Sequence, residues 1–320
     1  MMRSVSTSKG MLKSKPASPG LDLPPAFVRN VTVSFPSGAN WLEQLPGLLN
    51  QAARRWELAL GDPFLLSYNY VCAATRSDGT PAVLKLGVPN NELTSEINTL
   101  RVYHGQGACR LLEADAEKGL LLLERLQPGR MLATLDNDDQ ATEIAAQVMQ
   151  AIQRPEPDQD GFLSLRGWFD GLKNVRILFG GRTGPFPEKT FAIAEGLLRD
   201  LFAEHRPQML LHGDFHHYNI LSSGRGWLVI DPKGVTGPAE YEVGPLLFNP
   251  YHVKLEEMEA ILRTQRRIAI LSERLGFERP RLRAWAICHS VLSSYWDMAQ
   301  DGSGGESARA WAEIFIKTKV

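Results

Sequence analysis

The feature that most constrains this chain is a β-rich island, residues 209–232, set inside a half-chain otherwise patterned for helices. It reads Leu211-His212-Gly213-Asp214-Phe215-His216-His217-Tyr218-Asn219-Ile220-Leu221 and, after a turn, Trp227-Leu228-Val229-Ile230-Asp231-Pro232-Lys233-Gly234. The apolar runs have the length and residue types of short strands. His, Asp and Asn crowd the loop between them. Such residues can simply cap turns, because Asx side chains hydrogen-bond nearby backbone. The rest of the chain decides between turn caps and a site.

Upstream of the island the chain divides at Gln127-Pro128-Gly129. Before that break, residues 41–60 carry Leu45, Leu48, Leu49, Ala52 and Trp56 at helical spacing, and Gly61-Asp62-Pro63 is expected to end that helix. Residues 64–74 and 81–86 read as strands around the hairpin turn Ser77-Asp78-Gly79-Thr80. A helix is expected over 91–103 and a second strand pair over 109–112 and 119–124. After the break, helices are expected over 138–153, 168–178, 187–205, 254–275 and 281–300, with a last helix after the loop 301–305. The architecture that follows is α+β and bilobal: a disordered tail over 1–22, an antiparallel-sheet N-lobe over 23–126, and a larger, mainly helical C-lobe over 127–320.

Composition limits the functions open to such a fold. A formal net charge of -1 argues against a nucleic-acid binder. No apolar run approaches the roughly eighteen residues of a membrane span, and the N-terminus has no apolar signal core, so a cytoplasmic protein without membrane partners is expected. The three cysteines, Cys72, Cys109 and Cys288, are odd in number and far apart, as expected of buried free thiols rather than a zinc site or a disulfide framework.

The order His-Gly-Asp-x-x-x-x-Asn, a short hairpin, then Ile-Asp resembles the catalytic loop and metal-binding Asp of the aminoglycoside phosphotransferase superfamily, relatives of protein kinases. Further stretches resemble one branch of it, the streptomycin 6-kinases and aminoglycoside/hydroxyurea antibiotic resistance kinases. These are Gly107-Ala108-Cys109-Arg110-Leu111-Leu112, Leu121-Leu122-Leu123-Glu124-Arg125 with Pro128-Gly129, and Ile230-Asp231-Pro232-Lys233-Gly234 with Glu240-Tyr241-Glu242-Val243-Gly244. The resemblance spans residues 65–244 and implies a protein-kinase-like fold. It also implies an ATP- and Mg²⁺-dependent transfer of phosphate to a small-molecule hydroxyl, with an aminoglycoside such as streptomycin as the leading acceptor.

Residue roles follow from the resemblance and fit the chemistry. Phosphoryl transfer needs a carboxylate beside the attacking hydroxyl, the role implied for Asp214. It needs hard oxygen ligands for Mg²⁺, the role implied for Asn219 and Asp231. Lys85 on its strand is expected to hold nucleotide phosphates, with Glu96 as its partner on the following helix and Glu92 as the competing partner. Backbone groups from Glu124 to Leu126 are expected to meet the adenine edge. His212 and Glu242 are expected to hold local backbone. For His216, orienting Asp214, contacting substrate and plain solvation are all open. Asp170 and Glu240, with Asp297 and Asp301, are the acids available to a cationic substrate, though each is also an ordinary surface acid. Trp168 and Trp296 read as core residues rather than sugar platforms.

Two departures accompany the resemblance. No Gly-x-Gly-x-x-Gly loop lies in 67–80, so phosphates would need amides from another turn, near Tyr68-Asn69-Tyr70. The metal-binding triplet is Asp231-Pro232-Lys233, whose Pro-Lys has no evident use. The rival readings are a kinase for another metabolite (an amino alcohol, a sugar or hydroxyurea), a non-catalytic nucleotide-binding relative, and a metallohydrolase ligated by His212, Asp214, His216, His217 and Asp231.

Overall fold

The computed structural model describes residues 21–250, 255–301 and 304–320. The tail expected over 1–22 falls almost wholly outside them. Two helices open the described chain, α1 (Pro25–Ser34) and α2 (Gly38–Arg55). There follow β1 (Leu58–Pro63), β2 (Tyr70–Arg76), β3 (Pro81–Leu86), α3 (Asn91–Tyr103), β4 (Leu111–Asp115) and β5 (Leu120–Glu124). The strands form one antiparallel five-stranded sheet in the order β1-β2-β3-β5-β4.

This sheet is buried on both faces, and β5 shows it residue by residue. Side chains alternate across a strand. Leu120 and Leu122 pack with Phe27, Trp41, Leu45 and Leu49 from α1 and α2. Leu121 and Leu123 pack on the other face with Leu93, Ile97 and Leu100 from α3. Each buried leucine contributes about 1.5–3 kcal/mol relative to exposure. The same alternation turns Leu84 and Leu86 of β3 outward, under α1 and α2, and leaves Lys85 between them on the α3 face.

The C-lobe contains β6 (Pro128–Met131), α4 (Asp138–Ile152), β7 (Arg154–Pro155), β8 (Leu163–Ser164), α5 (Leu165–Asp170), α6 (Lys173–Leu178) and α7 (Glu188–Ala203). It continues with β9 (Gln208–Leu211), β10 (Ile220–Ser223), β11 (Gly226–Val229), β12 (Val235–Pro238), α8 (Val243–Phe248), α9 (Glu257–Leu275), α10 (Arg279–Asp301) and α11 (Glu306–Lys317). Two small sheets cross it, β11-β10-β6 and β7-β9-β12-β8. The expected island is therefore β9 to β11, and the bilobal α+β fold read from the sequence is the observed one.

Three elements differ from expectation. The helix over 41–60 stops at Arg55, and Gly61-Asp62-Pro63 lies inside β1. Pro63 is tolerated there because β1 is an edge strand whose register shifts between Leu60 and Pro63, a bulge. Helix α1 was not expected; Pro25 stands at its first turn, where a missing N–H costs nothing. The helix over 168–178 is two short ones, broken at Gly171-Leu172. All three cysteines are buried and free. No described helix is long and apolar enough to cross a membrane.

Candidate active site

Lys85 is 5% exposed and donates to both oxygens of Glu96 at 2.7 Å and to Asp231 Oδ1 at 2.5 Å. α3 delivers Glu96 to this spot. Asn90 caps the helix, its side chain accepting the Leu93 N–H at 2.9 Å, and Glu96 falls on the buried face with Leu93, Ile97 and Leu100. Of the two glutamates open as partners, Glu96 meets Lys85, while Glu92 pairs with Lys233 at 2.8 Å. Burial disfavours the ammonium of Lys85, but Asp231 and Glu96 outweigh it and hold its pKa above the ordinary lysine value. Two carboxylates share this one lysine. Asp231, also near Lys233, stays well below the usual carboxylate range although burial opposes this, while burial pushes Glu96 up to about 7 against the pull of Lys85.

The loop from His212 to Asn219 is tied from several sides. His212 Nε2 donates to the Ile230 carbonyl at 2.8 Å, and its Nδ1 accepts the Asp214 N–H at 3.2 Å. Burial lowers the His212 pKa to about 4, so the ring is neutral and serves as a bracket. The buried Glu242 carboxylate accepts N–H bonds from His212 and Gly213. Gly213 has φ +84°, and a Cβ there would lie 2.8 Å from Val235 Cγ2 and 3.1 Å from Trp168, so only glycine fits without strain. Asn219 closes the loop: its carbonyl accepts from the Ile230 N–H, and its Nδ2 donates to the Asp214 carbonyl at 3.0 Å and to Asp214 Oδ2 at 3.3 Å.

Asp214 is thus oriented on both oxygens, Oδ1 lying 3.3 Å from His216 Nε2, yet 36% of its side chain remains exposed. Burial alone would raise its carboxyl. His216, by charge and hydrogen bond, and then Lys233 outweigh that and hold it well below the usual carboxylate range. Asp214 conversely raises the His216 pKa above its ordinary value against the effect of burial. Of the openings left for His216, the geometry provides contact with Asp214.

Asp231 has φ +58°, a left-handed backbone that re-aims its carboxylate from the end of the hairpin toward Lys85. Asn219 spends its amide nitrogen on Asp214, which leaves its amide oxygen as the donor for a cation. That oxygen and the Asp231 carboxylate are hard ligands suited to Mg²⁺. The metallohydrolase set fits poorly, because both ring nitrogens of His212 are engaged by backbone. Among the described residues no three His, Cys, Asp or Glu side chains are arranged to hold a metal.

Glu124 ends β5; its N–H donates to the Arg110 carbonyl at 2.9 Å, and its carboxylate accepts from Arg225 and from the Arg110 N–H. Leu126 is buried. Asp170 is exposed on α5 and paired with Lys173 at 2.6 Å. Glu240 is buried in an ion pair with Arg281 at 3.2 Å, so it faces protein rather than an incoming cation. Asp297 is exposed on α10, and the side chain of Asp301 lies outside those described. Trp168 and Trp296 are half-buried and meet edge to face at 5.1 Å.

Some residues at the site were not foreseen. Lys233 is one, in the Pro-Lys whose use the sequence left open. Ser95 is another: its Oγ donates to the Gly234 carbonyl at 2.6 Å and ties α3 to the segment after Asp231. Arg267 of α9 is a third. It is buried and binds the Asp138 carboxylate, donates to the Asn249 carbonyl at 2.6 Å, and approaches His217 Nε2 at 3.4 Å. No local pattern marks Arg267, because its partners come from α4, the end of α8 and the loop from His212 to Asn219.

A β-sheet lobe with a buried Lys–Glu pair, set against a helical lobe carrying an Asp–Asn loop and a following Asp, defines a protein-kinase-like phosphotransferase. Comparison with known proteins narrows this. Residues 63–302 match the family described as aminoglycoside/hydroxyurea antibiotic resistance kinase, and the chain belongs to that family. It is 30% identical to a streptomycin 6-kinase of Streptomyces glaucescens over 279 residues, covering 83% of this chain and 87% of the relative. It is 31% identical to a hydroxyurea phosphotransferase of Kitasatospora aureofaciens, over 88% of this chain and 81% of the relative. Among solved structures, a thermostable mutant of an aminoglycoside phosphotransferase in ternary complex with ADP and hygromycin B superimposes with a TM-score of 0.58 at 17% identity, covering 84% of this chain and 97% of that one. The fold is shared with that enzyme, and the chain is a small-molecule kinase.

Proposed function

We propose that this kinase transfers the γ-phosphoryl group of ATP, with Mg²⁺, to a hydroxyl of an aminoglycoside, streptomycin being the leading candidate. The observation that carries the reading is a pair of contacts on adjoining segments, Lys85 with Asp231 at 2.5 Å and Asn219 with Asp214 at 3.0 and 3.3 Å, the segments being tied by the Ile230 N–H donating to the Asn219 carbonyl at 2.9 Å. Lys85 would hold nucleotide phosphates after Asp231 lets go of it. The Glu124 carbonyl and the Leu126 backbone would meet the adenine, and the turn near Tyr68-Asn69-Tyr70 would lie over the phosphates. Asn219 and Asp231 would hold Mg²⁺, which when bound screens the phosphate charge.

Asp214 orients the acceptor hydroxyl and receives its proton. A carboxylate held below its ordinary pKa is a weak base. It therefore acts first by orientation and takes the proton late, once bonding to phosphorus has made the hydroxyl acidic. The streptomycin 6-kinase relative supports the aminoglycoside, and an ATP-dependent reaction suits the cytoplasm. A second reading, a smaller acceptor such as hydroxyurea, is favoured by the hydroxyurea phosphotransferase relative and by Glu240 being turned into the protein. The test is ATP consumption with streptomycin, other aminoglycosides, hydroxyurea and simple amino alcohols, with the product position assigned by NMR. Turnover on streptomycin supports the proposal. Turnover on hydroxyurea alone favours the second reading, and no turnover on any acceptor rejects both.

A further inference from the structure

We propose that Lys233 is a second catalytic cation, which leaves Glu92 when substrates are bound and donates to a non-bridging oxygen of the phosphoryl group in flight. The proposal rests on the phosphotransferase reading above and deepens it. Lys233 is placed by the catalytic loop itself. Its N–H donates to the His212 carbonyl at 2.7 Å, and a Cβ on Gly213 would come 3.2 Å from the Lys233 Cβ. The side chain therefore starts beside the residue that precedes Asp214. Its ammonium ends 2.8 Å from Glu92 in the first turn of α3, so the lysine reaches from the C-lobe to the N-lobe. Burial disfavours its ammonium, but the charges of Asp231, Glu92 and Asp214 outweigh this and keep it protonated.

The two site lysines are held differently. Lys85 is 5% exposed and fixed by Glu96 on both oxygens. The Lys233 side chain is 24% exposed, and its partner Glu92 is 54% exposed. A pair that open to water is weak and easily exchanged, and a lysine stem is flexible enough to re-aim its ammonium. The stem is rooted beside Gly213, one residue before Asp214, the base toward which the acceptor hydroxyl must come. In the transfer, the acceptor oxygen bonds to Pγ and the bond from Pγ to the bridging oxygen breaks. The bond's electron pair stays on the β-phosphate of ADP, and the hydroxyl proton passes to Asp214. Lys233 stays protonated throughout, and its N–H groups meet charge that gathers on the non-bridging oxygens.

The experiment uses the full chain with Lys233→Met, Lys233→Arg and Glu92→Gln. It reads kcat for ADP formation with streptomycin and, independently of acceptor, with water alone. MgADP affinity and melting temperature are read alongside. Loss of one transition-state donor lowers kcat by about 10²–10³. Lys233→Met is expected to show that loss, with MgADP affinity within about threefold because ADP lacks the group contacted. Lys233→Arg should recover part of the rate, and Glu92→Gln should keep kcat within about threefold. A Glu92→Gln loss as large as that of Lys233→Met would instead make the pair an interlobe latch and overturn the proposal. So would a Lys233→Met enzyme with wild-type kcat, or one that loses MgADP affinity and melting temperature together with rate. A wild-type chain that never turns over ATP rejects the phosphotransferase reading itself, and the proposal falls with it.

Discussion

Replacing Glu242 with glutamine removes a buried, titratable carboxylate while keeping its shape. Glu242 is 3% exposed and accepts N–H bonds from His212 and Gly213, so it anchors the start of the catalytic loop. Burial pushes its pKa from 4.5 up to about 8, against the pull of those two bonds. Because the folded-state value is the higher one, the folded chain retains a proton that the unfolded chain has released. The resulting stability is fully present below about pH 4.5 and is lost as pH rises toward 8. Within that window one group contributes a slope of at most about 1.4 kcal/mol per pH unit. Glutamine does not titrate and presents an NH₂ to one backbone N–H, costing about 1–2 kcal/mol at pH 5. The two stabilities, measured by urea unfolding from pH 5 to 8, should therefore converge with rising pH and then cross. All other acids titrate alike in both proteins, so the difference isolates Glu242. Curves that stay parallel across the window would refute the argument.

Further outcomes follow from the same geometry. Glu96→Ala strips Lys85 of two buried bonds but leaves it Asp231, so unfolding free energy should fall by about 2–3 kcal/mol, at or below the low end for a broken buried pair; calorimetry or urea titration checks this. Asp231→Ala should weaken Mg²⁺-nucleotide binding by at least about tenfold, read by titration with Mg²⁺-ATP, and an unchanged isotherm would remove Asp231 from the metal site. Gly213→Ala forces a Cβ at φ +84° against Val235, costing about 1–3 kcal/mol and lowering kcat through the displaced Asp214.

The loop residues were legible because local chain geometry fixes them. Asp214 and Asn219 belong to one loop closed by its own hydrogen bonds, so their spacing survives in sequence. The strand pairs were legible through turn chemistry such as Asp78-Gly79, where Asp78 Oδ1 accepts the Thr80 N–H at 2.8 Å. What depended on distant partners was not. Glu92 and Glu96 sit one helical turn apart, and burial against Leu93 and Ile97 decides which of them meets Lys85. Glu240 has the composition of a surface acid, and its role is set by Arg281 from α10. Lys233 stood in plain view after Asp231, but its meaning needed the first turn of α3 beside it. Gly61-Asp62-Pro63 reads as a breaker in any local analysis, and only an edge position with a bulge lets it pair.

In the proposed reaction Asp214 orients and deprotonates the acceptor while other groups hold the nucleotide. Single-turnover phosphoryl transfer by Asp214→Asn, with Mg²⁺-ATP binding measured on the same sample, tests it most directly. The expected rate is lower by about 10²–10⁴, with nucleotide affinity and fold retained. Transfer at close to the wild-type rate would contradict it.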